Sequence, residues 1–182
     1  MAARLPRALS AEHALASARA GAHLLASAAV RAAGTIALYR ALGTEVSTAA
    51  IADALTAAGK DLCFPAVVEG DPMLHFRRPH GPTRASALGI EEHEDLPGAR
   101  VALAAIDLFV VPARAVDRNG HRLGRGKGYY DATLAAASPG ARRVCLVFDQ
   151  QIVDLVPTEP HDARMDAICT DARWLDLPER TS

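Results

Sequence analysis

The 182-residue chain has very little lysine: Lys60 and Lys127 are its only two, among 20 basic residues. It also lacks any apolar run of membrane-spanning length, and its start has no apolar stretch behind basic residues. We therefore predict neither a membrane span nor a signal peptide. A formal net charge of −1 argues against a surface that binds nucleic acid.

Cysteine is scarce as well. Cys63, Cys145 and Cys169 form no C-x-x-C pair, and each lies in a short apolar, strand-like segment. Such cysteines are typical of buried free thiols in a reducing compartment. We therefore predict a soluble, cytoplasmic protein.

The remaining composition is that of an ordinary globular domain, with 50% hydrophobic and 23% charged residues. The length suits one domain over residues 1–182. Periodicity and turn residues predict helices at residues 10–33, 48–58 and from 129 onwards, with Ser10 as an N-cap. They predict strands at residues 35–39, 61–64 (ended by Pro65), 73–76, 108–111, 143–148 and 167–170. This alternation predicts an α/β fold with one mostly parallel sheet and helices on both faces.

The most informative stretch follows the predicted strand at residues 108–111 and a turn at residues 117–120. Residues 122–131 read Arg-Leu-Gly-Arg-Gly-Lys-Gly-Tyr-Tyr-Asp, with glycines at alternate positions and cations between them. Backbone N–H groups in such a loop form an anion-binding concavity, and the helix that follows adds its positive end. The spacing matches neither a Walker A loop nor a dinucleotide-binding fingerprint.

Alternatives remain for each of these residues. The glycine loop is either a phosphate cradle or a flexible connector, although a rare lysine between two glycines favours the cradle. Glu45, in a loop between a strand and a helix, is either a ligand contact or a solvated residue. Asp131 and Asp162 are either magnesium ligands or, respectively, a first-turn helix charge and a turn former.

Residues 122–131 resemble the signature of the 5-formyltetrahydrofolate cyclo-ligase family, and the resemblance extends over nearly the whole chain. Further matching positions are Glu45, Met73, Phe76, Gly89, Gln151, Pro157, His161 and Asp162. The resemblance implies a three-layer fold like that of ribose-phosphate isomerases and CoA transferases. It also implies ATP-driven cyclisation of 5-formyltetrahydrofolate to 5,10-methenyltetrahydrofolate, with ADP and phosphate released and magnesium required.

The resemblance assigns roles to individual residues. It implies Arg125 and Lys127 as catalytic cations and Asp131 and Asp162 as metal ligands. The implied folate contacts are Arg40, Glu45, Arg125, Gly126, Lys127, Gly128 and Tyr129. The implied ATP contacts are Arg122, Leu123, Gly124, Arg125, Gly126, Lys127, Gly128, Tyr129 and Tyr130.

The chain departs from the family pattern at three places. His93 stands where the family has proline, and residues 113–116 replace a Gly-x-x-Phe segment. The family also has a Lys-x-x-x-Arg segment near its start that reaches the ATP phosphates, whereas this chain offers Arg4 and Arg7. The missing amino-terminal cations keep open a non-catalytic nucleotide- or folate-binding relative. A sugar-phosphate enzyme is a weaker alternative, which the Tyr-Tyr-Asp end of the loop disfavours.

A basic cluster lies outside the signature. Arg77, Arg78, His80 and Arg84 surround two prolines and a glycine. The cluster is either a solvated loop or a rim that attracts the acidic tail of a polyglutamylated folate. We expect a monomer whose partners are small molecules.

Overall fold

The structure is a computed structural model that describes residues 10–85 and 91–179. The helices in these ranges are α1 (Ala11–Leu25), α2 (Ala28–Ala32), α3 (Ala49–Ala57) and α4 (Tyr129–Ala136). The strands are β1 (Thr35–Leu38), β2 (Asp61–Val67), β3 (Leu74–Arg77), β4 (Thr83–Ala85), β5 (Glu91–His93), β6 (Arg100–Val101), β7 (Leu108–Val111), β8 (Ala115–Asp117), β9 (Arg122–Leu123), β10 (Arg142–Leu146), β11 (Ile152–Val153), β12 (Ala167–Cys169) and β13 (Trp174–Asp176).

Eight strands form one sheet in the order β13-β12-β10-β7-β1-β2-β3-β6. The five strands from β12 to β2 run parallel, whereas β13 at one edge and β3 and β6 at the other pair antiparallel. The predicted mostly parallel α/β sheet is therefore confirmed. Two small sheets, β11-β8-β9 and β4-β5, accompany it.

The sheet is covered on both faces, as β7 at its centre shows. All four residues of this strand are buried, and alternate residues face opposite sides. Leu108 lies in one hydrophobic cluster with Leu24 of α1 and Leu55 of α3. Phe109 lies in a second cluster with Leu134 of α4. A strand buried on both faces reads as a continuous apolar run, which is why the sequence located β7 correctly.

The amino-terminal helix differs from its prediction. The Ser10 hydroxyl accepts a hydrogen bond from the backbone N–H of His13, as an N-cap does. The prediction of a single helix through residue 33 is wrong, because α1 ends at Leu25 and a second helix begins after Ser27. The Ser27 hydroxyl accepts from the N–H of Val30 and caps α2. A serine within an alanine-rich run competes for backbone hydrogen bonds and starts a new helix there.

The second strand also differs, since β2 continues through Pro65 to Val67. The prediction that proline ends this strand is wrong. Pairing with β1 stops at Cys63, and beyond it β2 pairs with β3 alone, with Pro65 opposite Phe76. Because β1 no longer pairs with β2 at Pro65, the lack of an N–H group there breaks no hydrogen bond to β1. A sheet tolerates proline at such positions.

The cysteines are free and buried, as predicted. Burial raises the pKa of the Cys145 thiol to about 12, so this thiol stays protonated. In the described ranges no helix combines the length and the apolar character that crossing a membrane requires.

A buried carboxylate, Asp117, organises the turn between β8 and β9. Its Oδ1 accepts from the N–H groups of Asn119 (2.9 Å) and His121 (3.0 Å), and its Oδ2 accepts from the N–H of Val156 (3.1 Å). Burial by itself raises the pKa of Asp117, but these hydrogen bonds and the His121 ring outweigh it, so that the pKa lies below its ordinary value. Asp117 therefore holds the β8–β9 hairpin and the segment after β11 together.

We expect Asp117→Asn to lower the free energy of unfolding by about 1–3 kcal/mol at pH 7, because an amide offers one acceptor oxygen where two are used. Since the folded pKa is depressed, the wild-type advantage is complete above the unfolded pKa of about 3.9. It is lost as the pH falls through the folded pKa. Urea unfolding at several pH values should therefore show a difference that shrinks towards acid.

The exposed Asp154 supplies the control. Asp154→Asn should change the free energy of unfolding by less than about 0.5 kcal/mol, as surface substitutions usually do. A difference between wild type and Asp117→Asn that stays constant from neutral to acid pH would contradict the charged role of Asp117.

Candidate active site

The site lies where β1 and β7 end. These neighbouring parallel strands are in register, with Leu38 opposite Val110, so the chain leaves both at the same edge of the sheet. After β1 come Arg40 and Glu45; after β7 come the β8–β9 hairpin and the glycine loop. Ligands of open α/β sheets bind at this edge.

An ion pair joins the two loops. Glu45 Oε1 accepts from Arg125 Nη2 at 3.0 Å and from its Nε at 3.2 Å, and Glu45 Oε2 accepts from the backbone N–H of Leu42 at 2.8 Å. The Glu45 side chain is only 15% exposed, whereas that of Arg125 is 48% exposed. The structure thus brings together two residues that the sequence singled out separately.

Three further side chains, which the sequence analysis did not single out, hold the Glu45 loop. The His13 ring Nε2 lies 2.9 Å from the Glu45 carbonyl oxygen. The Tyr39 hydroxyl donates to the Val46 carbonyl, and the Thr48 hydroxyl donates to the Tyr39 carbonyl. Burial, aided by the Glu45 charge, raises the pKa of Tyr39 well above its usual value, so the phenol remains a donor. The local sequence pattern does not signal these contacts.

The glycine loop has the backbone that its composition predicts at two of three glycines. Gly126 and Gly128 have positive φ angles of 75° and 67°, and Gly124 is outside this set. Gly128, in the left-handed conformation, directly precedes α4, so the loop does lead into a helix N-terminus. Lys127 between them is exposed and has no hydrogen bond or ion pair within the described parts of the chain.

Arg122 and Asp131, at the two ends of the signature, are paired with each other. Arg122 Nη2 donates to Asp131 Oδ1 at 3.0 Å, and the side chains are 5% and 15% exposed. The Arg122 guanidinium also lies over the Tyr130 ring, 5.8 Å from its centroid. Asp131 Oδ1 accepts in addition from the Ala163 N–H. Arg122 is therefore engaged inside the protein, unlike Lys127.

The two aspartates expected to hold magnesium lie on neighbouring segments. Asp162 precedes Ala163, whose N–H contacts Asp131, but Asp162 Oδ2 itself accepts from the N–H of Glu159 at 2.7 Å. Asp162 is therefore also a turn former. Over residues 10–85 and 91–179, no group of three or more His, Cys, Asp and Glu side chains is arranged to hold a metal ion. Two hard carboxylates still suit magnesium, which needs few protein ligands.

Other signature residues pack around the loop. Tyr129 and Tyr130 are partly buried against the second hydrophobic cluster, which contains Leu134 of α4, whereas Leu123 is 49% exposed. Withdrawal from solvent, with the nearby Glu45 charge, raises the pKa of the Tyr130 phenol, so it keeps its proton. Gln151 is buried and donates to the carbonyl groups of Ala113 and Arg114, so it fixes the connection after β7.

Arg40 lies against an aromatic ring and a histidine. Its guanidinium carbon is 4.3 Å from the Phe64 ring centroid, and its Nη2 lies 2.7 Å from His93 Nε2. The carbonyl oxygen of His93 accepts from Arg77 Nη1 at 2.7 Å. We call Arg40, Phe64 and His93 the arginine clamp.

The basic cluster of the sequence does not form one exposed loop. Arg77 is a buried residue of β3, and Arg78 pairs with Asp61 at 2.7 Å near the amino end of β2. The solvated-loop interpretation is therefore wrong for Arg77, because its buried side chain donates to the carbonyl of His93 and lies near Asp95. His80 and Arg84 are exposed.

Other residues that the sequence analysis named are His161, Arg4, Arg7 and Gly89. His161 is exposed, with its Nε2 3.3 Å from Glu159 Oε2. The expectations on Arg4, Arg7 and Gly89 lie outside the described residues.

Comparisons with known proteins agree with the resemblance. The chain matches the model of the 5-formyltetrahydrofolate cyclo-ligase family over residues 1–171. A protein of Mycolicibacterium smegmatis named 5-formyltetrahydrofolate cyclo-ligase is 35% identical over 149 residues, which cover 78% of this chain and 75% of that protein. One of the same name from Haemophilus influenzae is 32% identical over 136 residues, which cover 72% and 73%.

A solved structure shares the fold as well. The NMR structure of Aquifex aeolicus 5,10-methenyltetrahydrofolate synthetase matches with a TM-score of 0.78 and 28% identity, over 96% of this chain and 88% of that one. Sequence and fold thus agree across most of the molecule. The chain belongs to the 5-formyltetrahydrofolate cyclo-ligase family of enzymes.

Proposed function

We propose that this chain uses ATP to cyclise 5-formyltetrahydrofolate to 5,10-methenyltetrahydrofolate, with release of ADP and phosphate. The Arg125–Glu45 ion pair carries the proposal, because it places a basic glycine loop beside a loop carboxylate at the ligand-binding edge of the sheet. Transfer of a phosphoryl group to an organic substrate uses cations for the phosphates beside groups that hold the substrate. Family membership supports the same activity.

The chemistry explains why the protein needs few reactive groups. A formamide oxygen is a poor leaving group, so the γ-phosphoryl group is transferred to it. The N10 amine then attacks the activated carbon and loses its proton to solvent; a C–N bond forms, the C–O bond breaks, and the oxygen departs with phosphate. In such phosphoryl transfers the protein chiefly aligns the reactants, neutralises charge and excludes water.

The loop cations have distinct parts in this proposal. Lys127 has its ammonium group available for the transferring phosphoryl group, and Arg125 neutralises charge next to it. The N–H groups between residues 122 and 130 face the ATP phosphates. On the folate side the contacts are Arg40, Glu45, Arg125, Gly126, Lys127, Gly128 and Tyr129. Tyr129 and Tyr130 close the pocket against water.

Magnesium, as proposed from the resemblance, is held by Asp131 and Asp162. The chemistry that the ion would supply there is neutralisation of phosphate charge. Both described contacts of the Asp131 carboxylate use Oδ1, which leaves Oδ2 for a cation. Arg122 keeps the Asp131 carboxylate in place from the other side.

The cellular location, the oligomeric state and the form of the substrate are not tested by the contacts described above. A cytoplasmic location, a monomeric state and polyglutamylated forms of the substrate stay predictions. The exposed His80 and Arg84 are the members of the basic cluster still open to an acidic tail.

The direct test is the appearance of methenyltetrahydrofolate absorbance when the purified protein meets 5-formyltetrahydrofolate, ATP and magnesium. We expect product and ADP in equal amounts, and neither when a chelator removes the metal. Binding of folate and ATP without product would support the non-catalytic alternative instead. Equal ADP release with the chelator would refute the metal assignment of Asp131 and Asp162.

We expect Lys127→Ala to lower kcat/KM. The corresponding loss of transition-state stabilisation should be about 2–4 kcal/mol, the range for a lost transition-state donor. The melting temperature of the variant should stay near that of wild type, because an exposed loop cation contributes little to stability. Steady-state kinetics and thermal melts measure both.

The other lysine of the chain is the matched control. Lys60 directly precedes β2, so it lies at the end of the sheet opposite the candidate site. It donates to the carbonyl groups of Arg31 and Ala33. Lys60→Ala should therefore keep its turnover. If Lys127→Ala melts much earlier yet turns over normally, Lys127 is structural.

We expect Asp131→Asn to lower the free energy of unfolding by about 3–5 kcal/mol, because it leaves the buried Arg122 charge without its partner. The double variant Arg122→Met, Asp131→Asn should recover most of that stability. Both variants should need more magnesium for half-maximal turnover. If the double variant needs no more magnesium for half-maximal turnover than wild type does, Asp131 serves only to balance the charge of Arg122.

A further inference from the structure

The arginine clamp fixes a guanidinium group close to the candidate site. Arg40 lies two residues beyond the end of β1 at Leu38 and five residues before Glu45, so it lies at the same edge of the sheet. Phe64 lies against the guanidinium, 4.3 Å from its central carbon, and His93 approaches Nη2 at 2.7 Å. The Phe64 and His93 rings are themselves 6.5 Å apart and tilted by 46°. The two rings thus contact the group from different directions.

The protonation of His93 follows from this contact. Arginine carries donors only and stays charged, so its Nη2 must be the donor. His93 Nε2 is therefore the acceptor and carries no proton, and the ring is the neutral tautomer with its proton on Nδ1. A proline, the residue of the family pattern at this position, offers no side-chain acceptor.

His93 is itself firmly supported. Its carbonyl oxygen accepts from the buried Arg77, whose Nε lies 3.9 Å from Asp95 Oδ1. Its strand β5 pairs with β4, where Thr83 is opposite His93. Support by neighbouring strands is what a side chain needs in order to orient another group.

We propose that His93 is a positioning residue of the folate site: its neutral ring holds Arg40 in the orientation that receives acceptor groups of the substrate. This inference rests on the proposed function. A free arginine side chain loses much rotational freedom when it is ordered, and holding it in place beforehand removes that loss from substrate binding. His93 therefore acts on folate affinity through Arg40 and does not contact the reacting atoms.

The test compares His93→Leu, which removes the acceptor, with His93→Gln, whose amide oxygen reaches a similar position. In steady-state kinetics of the full chain, His93→Leu should raise the KM for 5-formyltetrahydrofolate about tenfold, the effect of one ordinary hydrogen bond. The KM for ATP should change less than about twofold. The fold-change in kcat should be smaller than the fold-change in the KM for 5-formyltetrahydrofolate. His93→Gln should recover most of the affinity.

A double-mutant comparison shows whether the effect passes through Arg40. In the Arg40→Gln background, His93→Leu should add little further loss, because the group that His93 positions is already gone. Additive losses, or equal losses in His93→Leu and His93→Gln, would overturn the proposal. Wild-type behaviour of His93→Leu would do so too.

Thermal melts distinguish a folding defect from a loss of function. Thermal melts check each variant, and if His93→Leu does not fold, His93→Asn replaces it, since its shorter amide lies nearer the backbone. If wild type makes no methenyltetrahydrofolate, the proposed function fails. Titration of the same variants with 5-formyltetrahydrofolate, followed by protein fluorescence, then decides the role of His93: weaker binding by His93→Leu than by His93→Gln supports it, and equal or absent binding overturns it.

Discussion

The parallel pairing of β1 with β7 is the constraint on which the candidate site depends. Because Leu38 is opposite Val110, the chain emerges from both strands at one edge of the sheet. Residues 80 positions apart in sequence, Glu45 and Arg125, can then form an ion pair. An antiparallel pairing would have put the two loops at opposite edges. The buried apolar side chains of β7 on both faces keep this pairing at the centre of the sheet.

The parts that could be predicted from the sequence are those with a local cause. The apolar run of β7, the alternating glycines and the start of α4 are visible within a few residues. The short strands escaped prediction, because their pairing depends on distant partners: β11, for example, pairs with β8 through Ile152 and Val116. Burial of Arg77 escaped for the same reason. Side-chain partners such as His93 for Arg40 leave no trace in local periodicity.

The family resemblance implied that charged residues of the candidate site contact ligands, whereas the structure pairs several of them with one another. Arg125 contacts Glu45, and Arg122 contacts Asp131. The two assignments are compatible, because a charged group of a ligand can replace the partner in an ion pair. Lys127 differs in being exposed and having no described partner. In the proposed reaction, a compact ammonium on a flexible stem would suit that position, because it could follow a phosphoryl group as the group moves.

The two ion pairs differ in what a ligand must overcome. The Arg125–Glu45 pair is half exposed on the arginine side, and such pairs contribute about 0–1 kcal/mol. A charged hydrogen bond to phosphate contributes about 1.5–3 kcal/mol, so phosphate can draw Arg125 away from Glu45. Breaking the Arg122–Asp131 pair leaves a buried charge, which costs about 3–5 kcal/mol. A phosphate at this edge of the sheet would therefore displace Arg125 from Glu45 more readily than it would displace Arg122 from Asp131.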